Sequence, residues 1–397
     1  MKAKKARKNR NMKKILITGA GSFIGTSFEK YIKNHQKAAE YEISVMDTLT
    51  GKIVSKVTKE TDKSSFSDRD SKQTKSSVEE PNDTNRAESG EKAANSSVQV
   101  ASGAEAVDYS EKEWDFTGYD VVFHVAGIAH ADVGKVSEEG KQLYKKVNTD
   151  LAIEVAKKAK AAGVKQFIFM SSAIVYGSSS PIGKEKIINK DTKPEPENFY
   201  GESKLNAEIG LKALMHDVVN EPVIDEANEA VHDGAKAAAK DDNVDGKEDM
   251  SFKVVILRPP MIYGPECKGN YNSLRKFALK LPIFPKVKNE RSMLYIDNLC
   301  EFIRLMIDNE ECGTFHPANA ELSNTSEMVG LIAKAHDKKI ALIGGTTWLL
   351  KIMSHFTGLE NKAFGNLTYS PELTEYKENY RVCSLEDGIF KTEKNQQ

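Results

Sequence analysis

The chain has 397 residues, 29% of them charged, with a formal net charge of −1. That length can bury a large core, and the charge balance supplies no global field toward nucleic acid or anionic lipid. The four cysteines, Cys267, Cys300, Cys312 and Cys383, lie far apart without paired spacing or a histidine cluster; this excludes a disulfide framework or zinc site and suits a cytoplasmic protein.

In chain order, residues 1–11 are basic (Lys2, Lys4, Lys5, Arg7, Lys8 and Arg10) and read as a disordered tail before Met12. The apolar run that follows, Ile15-Leu16-Ile17, is too short for a signal peptide. Lys14–Thr18 reads as a strand, Ser22–Asn34 as a helix and Tyr41–Met46 as a second strand. Residues 51–108 are rich in Ser, Lys, Glu, Asp and Asn and nearly lack large apolar side chains, so the whole stretch is expected to be disordered. A second polar insert covers about 217–250. Val121–Val125, Gln166–Met170 and Lys253–Leu257 are near-continuous apolar runs, as expected of strands covered on both faces. Between the first two, Leu143, Val147, Leu151, Val155 and Ala159 recur at helical spacing across Lys141–Ala162. This alternation predicts a doubly wound parallel α/β sheet of Rossmann type over 12–260. Shorter mixed elements from 261 predict a smaller C-terminal α/β substrate domain, 261–397. The apolar patch around Trp348–Leu350 is interrupted by Gly344-Gly345, Lys351 and His355, far short of the roughly 20 apolar residues a membrane span needs. It reads as an amphipathic surface or core helix, and no stable membrane insertion is expected.

Two constellations carry chemistry. Gly19-Ala20-Gly21-Ser22-Phe23-Ile24-Gly25 sits between the first strand and the first helix, where glycines permit a tight turn and a dinucleotide pyrophosphate can meet backbone N–H groups. Asp47, at the end of the second strand, can accept the ribose hydroxyls and repel a 2′-phosphate, which favours NAD over NADP. The second constellation is Tyr200-Gly201-Glu202-Ser203-Lys204, with Ser171-Ser172 upstream at a strand end. Tyr200 and Lys204 are spaced i and i+4 and share a helix face; the ammonium is expected to lower the phenol pKa so that Tyr200 acts as a base. Ser172 would hold the substrate oxygen.

Together these motifs resemble the extended short-chain dehydrogenase/reductases, in the NAD-dependent nucleotide-sugar epimerase/dehydratase branch that includes UDP-glucose 4-epimerase. The resemblance covers roughly 12–48, 113–215 and 251–390. It identifies Ser172, in Ser172-Ala173-Ile174-Val175-Tyr176-Gly177, as the catalytic serine. It implies cofactor contacts at Ala126 and Gly127 (in His124-Val125-Ala126-Gly127), an adenine contact at Asp115-Phe116, and a helix asparagine near the site at Asn148. Arg258-Pro259-Pro260-Met261-Ile262-Tyr263-Gly264 resembles the passage into the substrate domain. Lys268, Asn270 and Arg291 resemble the residues that hold the nucleotide diphosphate, a task suited to a planar guanidinium fork. His124 and His130 read as packing or surface histidines.

There are departures from the pattern. Ser22 replaces the middle glycine of the loop. Ala173-Ile174 replaces the Asp-Glu pair with which sugar dehydratases eliminate water, and Met261 stands where 4-epimerases often carry asparagine. The expected activity is C4 epimerisation of a UDP-hexose or UDP-N-acetylhexosamine. The alternatives are a reductase of a 4-keto-6-deoxy nucleotide sugar and a non-catalytic dinucleotide sensor. The resemblance also implies a homodimer through helices at about 141–162 and 199–215.

Overall fold

The structure, a computed structural model, describes residues 12–57, 109–129, 136–215, 252–267, 269–345 and 364–394. The basic tail, the bulk of both inserts, His130, Lys268 and the Trp348–Leu350 patch therefore lie outside the described residues.

Seven strands form the central sheet. They are β1 (Lys13–Thr18), β2 (Tyr41–Met46), β3 (Ile53–Val57), β4 (Val121–His124), β5 (Gln166–Met170), β7 (Lys253–Leu257) and β11 (Gly313–Phe315). Their spatial order is β11-β7-β5-β4-β1-β2-β3. Every pairing is parallel except β2–β3. Side chains alternate across a strand, so Ile15 and Ile17 join one apolar cluster while Leu16 joins another. Both faces are thus covered, as the unbroken apolar runs required.

Helix α1 (Phe23–Asn34) and α6 (Ile296–Asp308) pack on the first face. The second face is covered by α3 (Leu151–Ala161) and α4 (Phe199–Ala213). The helix expected over 141–162 is divided: α2 (Glu138–Tyr144) leads through a π-helical turn at Lys145–Asp150 into α3.

The remaining elements surround the sheet's C-terminal edge. Three small parallel pairs join β8 (Met261–Tyr263) to β10 (Met293–Tyr295), β9 (Ile283–Pro285) to β12 (Ala341–Ile343), and β6 (Ile187–Ile188) to β13 (Thr368–Tyr369). With them come α5 (Asn270–Lys280), α7 (Thr325–Ala335), the short α8 (Pro371–Thr374) and α9 (Leu385–Lys394). Among the described residues no helix is long and apolar enough to cross a membrane, and no cluster of side chains is arranged to hold a metal.

Two expectations need correction. The segment read as disordered from residue 51 begins with an ordered edge strand, because Ile53, Ser55, Lys56 and Val57 pair with β2. The boundary at 260 is crossed as well: Gly313–Phe315, only three residues long, returns to pair with β7 as the outermost strand. One apolar cluster runs from Ile15 to Ile389, so the two halves share a core.

Candidate active site

Strand order reverses between β1 and β4, which opens a crevice at the C-terminal ends of the strands. There the glycine loop turns into α1. Gly19 has φ +100°, and a Cβ on it would lie 2.7 Å from the Ala126 backbone nitrogen, so no side chain fits between these two segments. Ser22 is the N-cap of α1; its Oγ accepts from the Gly25 N–H at 3.2 Å. A serine here thus has a structural reason that the comparison of motifs missed. Gly21, Ser22, Phe23 and Ile24 line a cavity of about 1630 Å³, and first-turn N–H groups lack intrahelical acceptors. This backbone cradle fits a dinucleotide pyrophosphate.

The catalytic candidates line the same cavity: Ser172, Tyr200 and Lys204, with Gly127 beside them. Ser172 ends β5 in extended conformation and caps the single turn Ala173–Tyr176, its Oγ accepting from Ile174 N–H at 3.3 Å. Tyr200 opens α4 behind the Asn198 cap. A Cβ at Gly201 would lie 2.9 Å from the Ile174 carbonyl oxygen, so glycine lets the helix start press against the serine turn. The Ser172 hydroxyl lies near enough to the Tyr200 phenol to favour its ionised form. Half-buried Tyr200 also meets the Tyr144 ring edge-on, with centroids 6.0 Å apart.

The electrostatics differ from expectation. Burial, and then the neighbouring Tyr144, push the Tyr200 phenol up to about 12, and the nearby Ser172 hydroxyl offsets only part of this. The Lys204 ammonium donates to the Met170 carbonyl at 2.9 Å and sits 4.9 Å from the centre of the Phe169 ring. No hydrogen bond joins it to Tyr200. Burial lowers Lys204 itself to about 8, opposed by the Glu208 carboxylate. The lysine remains charged at neutral pH, and desolvation of the phenol outweighs it here.

Asn148 sits in the π-helical turn and is fully buried. Its Oδ1 accepts from Ile128 N–H at 2.8 Å, and its Nδ2 donates to the Ile128 carbonyl and to Ser203 Oγ. It ties the segment after β4 to the helix of Tyr200. A π-helical turn shifts such a side chain out of normal helical register.

Behind the site lies a buried polar chain that sequence reasoning did not assemble. Glu208, one further i+4 step from Lys204, pairs with Arg258, with Nη2 to Oε2 at 2.5 Å, and accepts from Ser171 Oγ at 2.5 Å. Arg258 Nη1 donates to the Tyr176 hydroxyl at 2.6 Å, which in turn bonds His316 Nε2 at 2.8 Å. Burial and the adjacent Arg258 charge lower His316 to about 3, so it is neutral and can accept. The chain joins α4 to the ends of β5 and β7. Continuing the Tyr200–Lys204 spacing by one turn was the signal available for Glu208.

The other expected residues are spread around this centre. Asn270 begins α5, and both it and Arg291 line the cavity. Arg291 donates from Nη2 to Ser179 Oγ at 3.1 Å, and burial lowers its pKa. Met261, Ala173 and Ile174 also face the cavity, whose carboxylates are Glu197, Glu266 and Asp297. Ala126 backs the glycine loop. Asp47 does not line the cavity: its Oδ1 accepts from Leu49 and Thr50 N–H groups at 2.8 and 3.1 Å. Asp115 is exposed and accepts from Thr117 N–H, whereas the Phe116 side chain is buried in the core. Trp114 Nε1 donates to the Thr48 carbonyl at 3.0 Å, which sets 114–116 beside the end of β2 and Asp47. His124 is fully buried, bonded to Thr18 Oγ1 at 2.8 Å and stacked with Phe167 and Phe169; burial lowers it to about 3. It is a packing residue.

Residues 15–224 match the NAD dependent epimerase/dehydratase family, more than half of the chain. Over 259 residues the chain is 32% identical to a UDP-glucose 4-epimerase of Vibrio cholerae, covering 64% of this chain and 66% of that one. It is 26% identical over 259 residues to the N-acetyl-alpha-D-glucosaminyl-diphospho-ditrans,octacis-undecaprenol 4-epimerase of Escherichia coli O157:H7, covering 61% and 64%. The matched part therefore spans slightly less than two thirds of either relative. Among solved structures, UDP-glucuronic acid 4-epimerase from Bacillus cereus in complex with NAD superposes with TM-score 0.56 at 16% identity, over 96% of this chain and 98% of that one. A dTDP-4-dehydrorhamnose reductase from Bacillus anthracis in complex with NADP gives TM-score 0.55 at 15% identity, with coverage of 96% and 98%. These likenesses show the fold. The glycine cradle, the shared cavity and the match over 15–224 together establish that the chain belongs to the NAD-dependent epimerase/dehydratase family, with NAD as its cofactor.

Proposed function

We propose that the protein interconverts C4 epimers of a UDP-hexose or UDP-N-acetylhexosamine through a 4-keto sugar. The observation that carries this reading is the Ser172–Tyr200 hydroxyl pair inside a cavity that reaches from the glycine loop to Arg291. Gly19, Gly21, Ser22, Phe23, Ile24 and Gly25 would hold the NAD pyrophosphate, Asp47 the adenosine ribose, and Asp115-Phe116 the adenine end. Ala126, Gly127, Asn148, Tyr200 and Lys204 would border the nicotinamide half.

NAD, when bound, supplies the oxidant for the C4–H bond and, in its oxidised form, a positive charge that favours the phenolate. Tyr200 takes the proton of the C4 hydroxyl at its phenolic oxygen and returns it after the keto sugar has turned over. Ser172 donates a hydrogen bond to the same sugar oxygen, and the Lys204 ammonium, held by the Met170 carbonyl, adds a positive charge to the same cavity. Arg291, Asn270 and Lys268 anchor the diphosphate, so the sugar can rotate while the nucleotide stays fixed. Two inner carboxylates for dehydration are missing, since Ala173 and Ile174 occupy those positions. The protein would work as a cytoplasmic homodimer through α3 and α4, whose surface exposes Ile209; sedimentation at micromolar concentration tests that assembly.

The decisive experiment incubates the purified protein with a panel of UDP-hexoses and no added nucleotide, then resolves the products. Formation of the C4 epimer without NADH consumption is expected. Absence of any epimer, with NADH oxidised stoichiometrically on a 4-keto-6-deoxy sugar nucleotide, would replace the epimerase with a reductase.

A further inference from the structure

Helix α5 links the cavity to a second surface. Its first residues line the cavity, and an 11-residue helix carries the chain about 16 Å away. At its other end, Phe277 and Leu281 are exposed, and the β9–β12 pair continues the same surface. In the parallel register Ala341 pairs Ile283 and Ile343 pairs Pro285. Directly paired residues share a face, so Ile283 and Ile343 point outward together, 53% and 43% exposed. Phe284, on the opposite face, is buried and lies 6.1 Å from the Phe277 ring.

Lysines flank these four apolar side chains in sequence: Lys276, Lys280, Lys286, Lys288, Lys338 and Lys339, all exposed. Lys338 Nζ donates to the Leu279 carbonyl at 2.7 Å, and the Lys286 N–H to the Ile343 carbonyl at 2.8 Å, which ties the ring of charge to the patch. Among the described residues none of the six forms an ion pair, and Asp337 and Glu290 are the acidic neighbours in sequence. Exposed apolar side chains interleaved with one sign of charge call for an oppositely charged, amphipathic partner.

We propose that this face docks the protein on an anionic lipid surface. Phe277, Leu281, Ile283 and Ile343 enter the headgroup boundary while the lysines meet the phosphates. Charge decides between occupants. The adjoining chain 346–363 carries Lys351 and Lys362 against one carboxylate, Glu360, and cannot neutralise the ring. A second copy would bring six more lysines to the same face. Anionic lipid supplies the complement, and the whole chain's charge of −1 does not conflict with it, since the attraction is local.

The test uses the full-length protein and vesicles of phosphatidylcholine, with or without phosphatidylglycerol. Cosedimentation with the anionic vesicles alone, released by salt, is expected. Lys276→Gln/Lys280→Gln/Lys339→Gln should lower partitioning by about a hundredfold, and Ile283→Ser/Ile343→Ser should weaken it too. Turnover of a soluble nucleotide sugar should be unchanged in both variants. Failure of the wild type to bind anionic vesicles overturns the proposal. So does binding that both variants retain, which would place the contact elsewhere, such as the basic residues before Met12. Loss of self-association in Ile283→Ser/Ile343→Ser, without lipid binding by the wild type, would assign the face to a second copy.

Discussion

Mild acid should weaken this fold well before its carboxylates titrate. His124 and His316 are both buried and both held near 3, against an ordinary value of 6.5. In the unfolded chain each takes up a proton as pH falls through 6.5, while in the folded chain each stays neutral. The folded state therefore loses stability between 6.5 and about 3, with no loss above that window. One pH unit on one group corresponds to about 1.36 kcal/mol, so going from pH 7 to pH 5 costs about 2 kcal/mol per histidine and about 4 kcal/mol for both. His35, also lowered by burial, adds in the same direction. Carboxylates held low by lysines, such as Glu310, lose their contribution only at lower pH. Urea titrations at pH 7 and pH 5 measure the difference. His316→Gln keeps an acceptor for the Tyr176 hydroxyl and should remove about half of the pH dependence. A change below about 1 kcal/mol between the two pH values would refute the reasoning, as would an unaltered slope in the variant. The consequence reaches the active site, because a protonated His316 could no longer accept from Tyr176 beside Arg258.

Tyr200→Phe should lower turnover by at least about 10²-fold while leaving the denaturation midpoint unchanged, since a positioned proton-transfer group is lost and little packing with it; near-normal turnover would remove Tyr200 as the base. Glu208→Gln leaves the Arg258 guanidinium buried without its counter-charge and should cost about 3–5 kcal/mol in chemical denaturation. A loss under about 1 kcal/mol would show that the pair does not hold α4 to the sheet. Asp47→Asn keeps an oxygen for the Leu49 and Thr50 N–H groups while removing the charge, so it should narrow the preference for NAD over NADP without loosening the turn. Equal wild-type affinity for both cofactors, measured by calorimetry, would take Asp47 out of that role.

The strands at Gln166–Met170 and Lys253–Leu257 were legible to the residue because burial on both faces writes a near-continuous apolar run. Ile53–Val57 was not: it is an exposed edge strand without a buried apolar run, and the polar composition of its surroundings hid it. Nor was Gly313–Phe315, too short to carry any pattern. At the site, Tyr200 and Lys204 came from their helical spacing and Ser172 from the family resemblance, and all three line one cavity. The direction of the Tyr200 shift did not follow, because spacing counts the ammonium but not the water that burial removes. The π-helical turn around Asn148 was equally hidden, since the apolar positions on either side of it keep an apparently regular helical repeat. The chain from Ser171 to His316 joins residues up to 145 positions apart in sequence, and only the folded arrangement makes them neighbours.

The returning strand β11 constrains the order in which this protein can be made. When synthesis has reached residue 260, six of the seven sheet strands exist, but the outer side of β7 is an open hydrogen-bonding edge. The Gln166 side chain still lacks the Met306 and Glu311 carbonyls to which it donates, and Lys13 lacks that of Ile307. Helix α6, which covers α1, has yet to leave the ribosome. The nascent chain must therefore hold an exposed edge and an uncovered apolar face until roughly the length of α6 and β11 has emerged, the interval in which such chains aggregate or engage chaperones. The half that carries the glycine loop is completed by the half that follows residue 260, and neither is born finished.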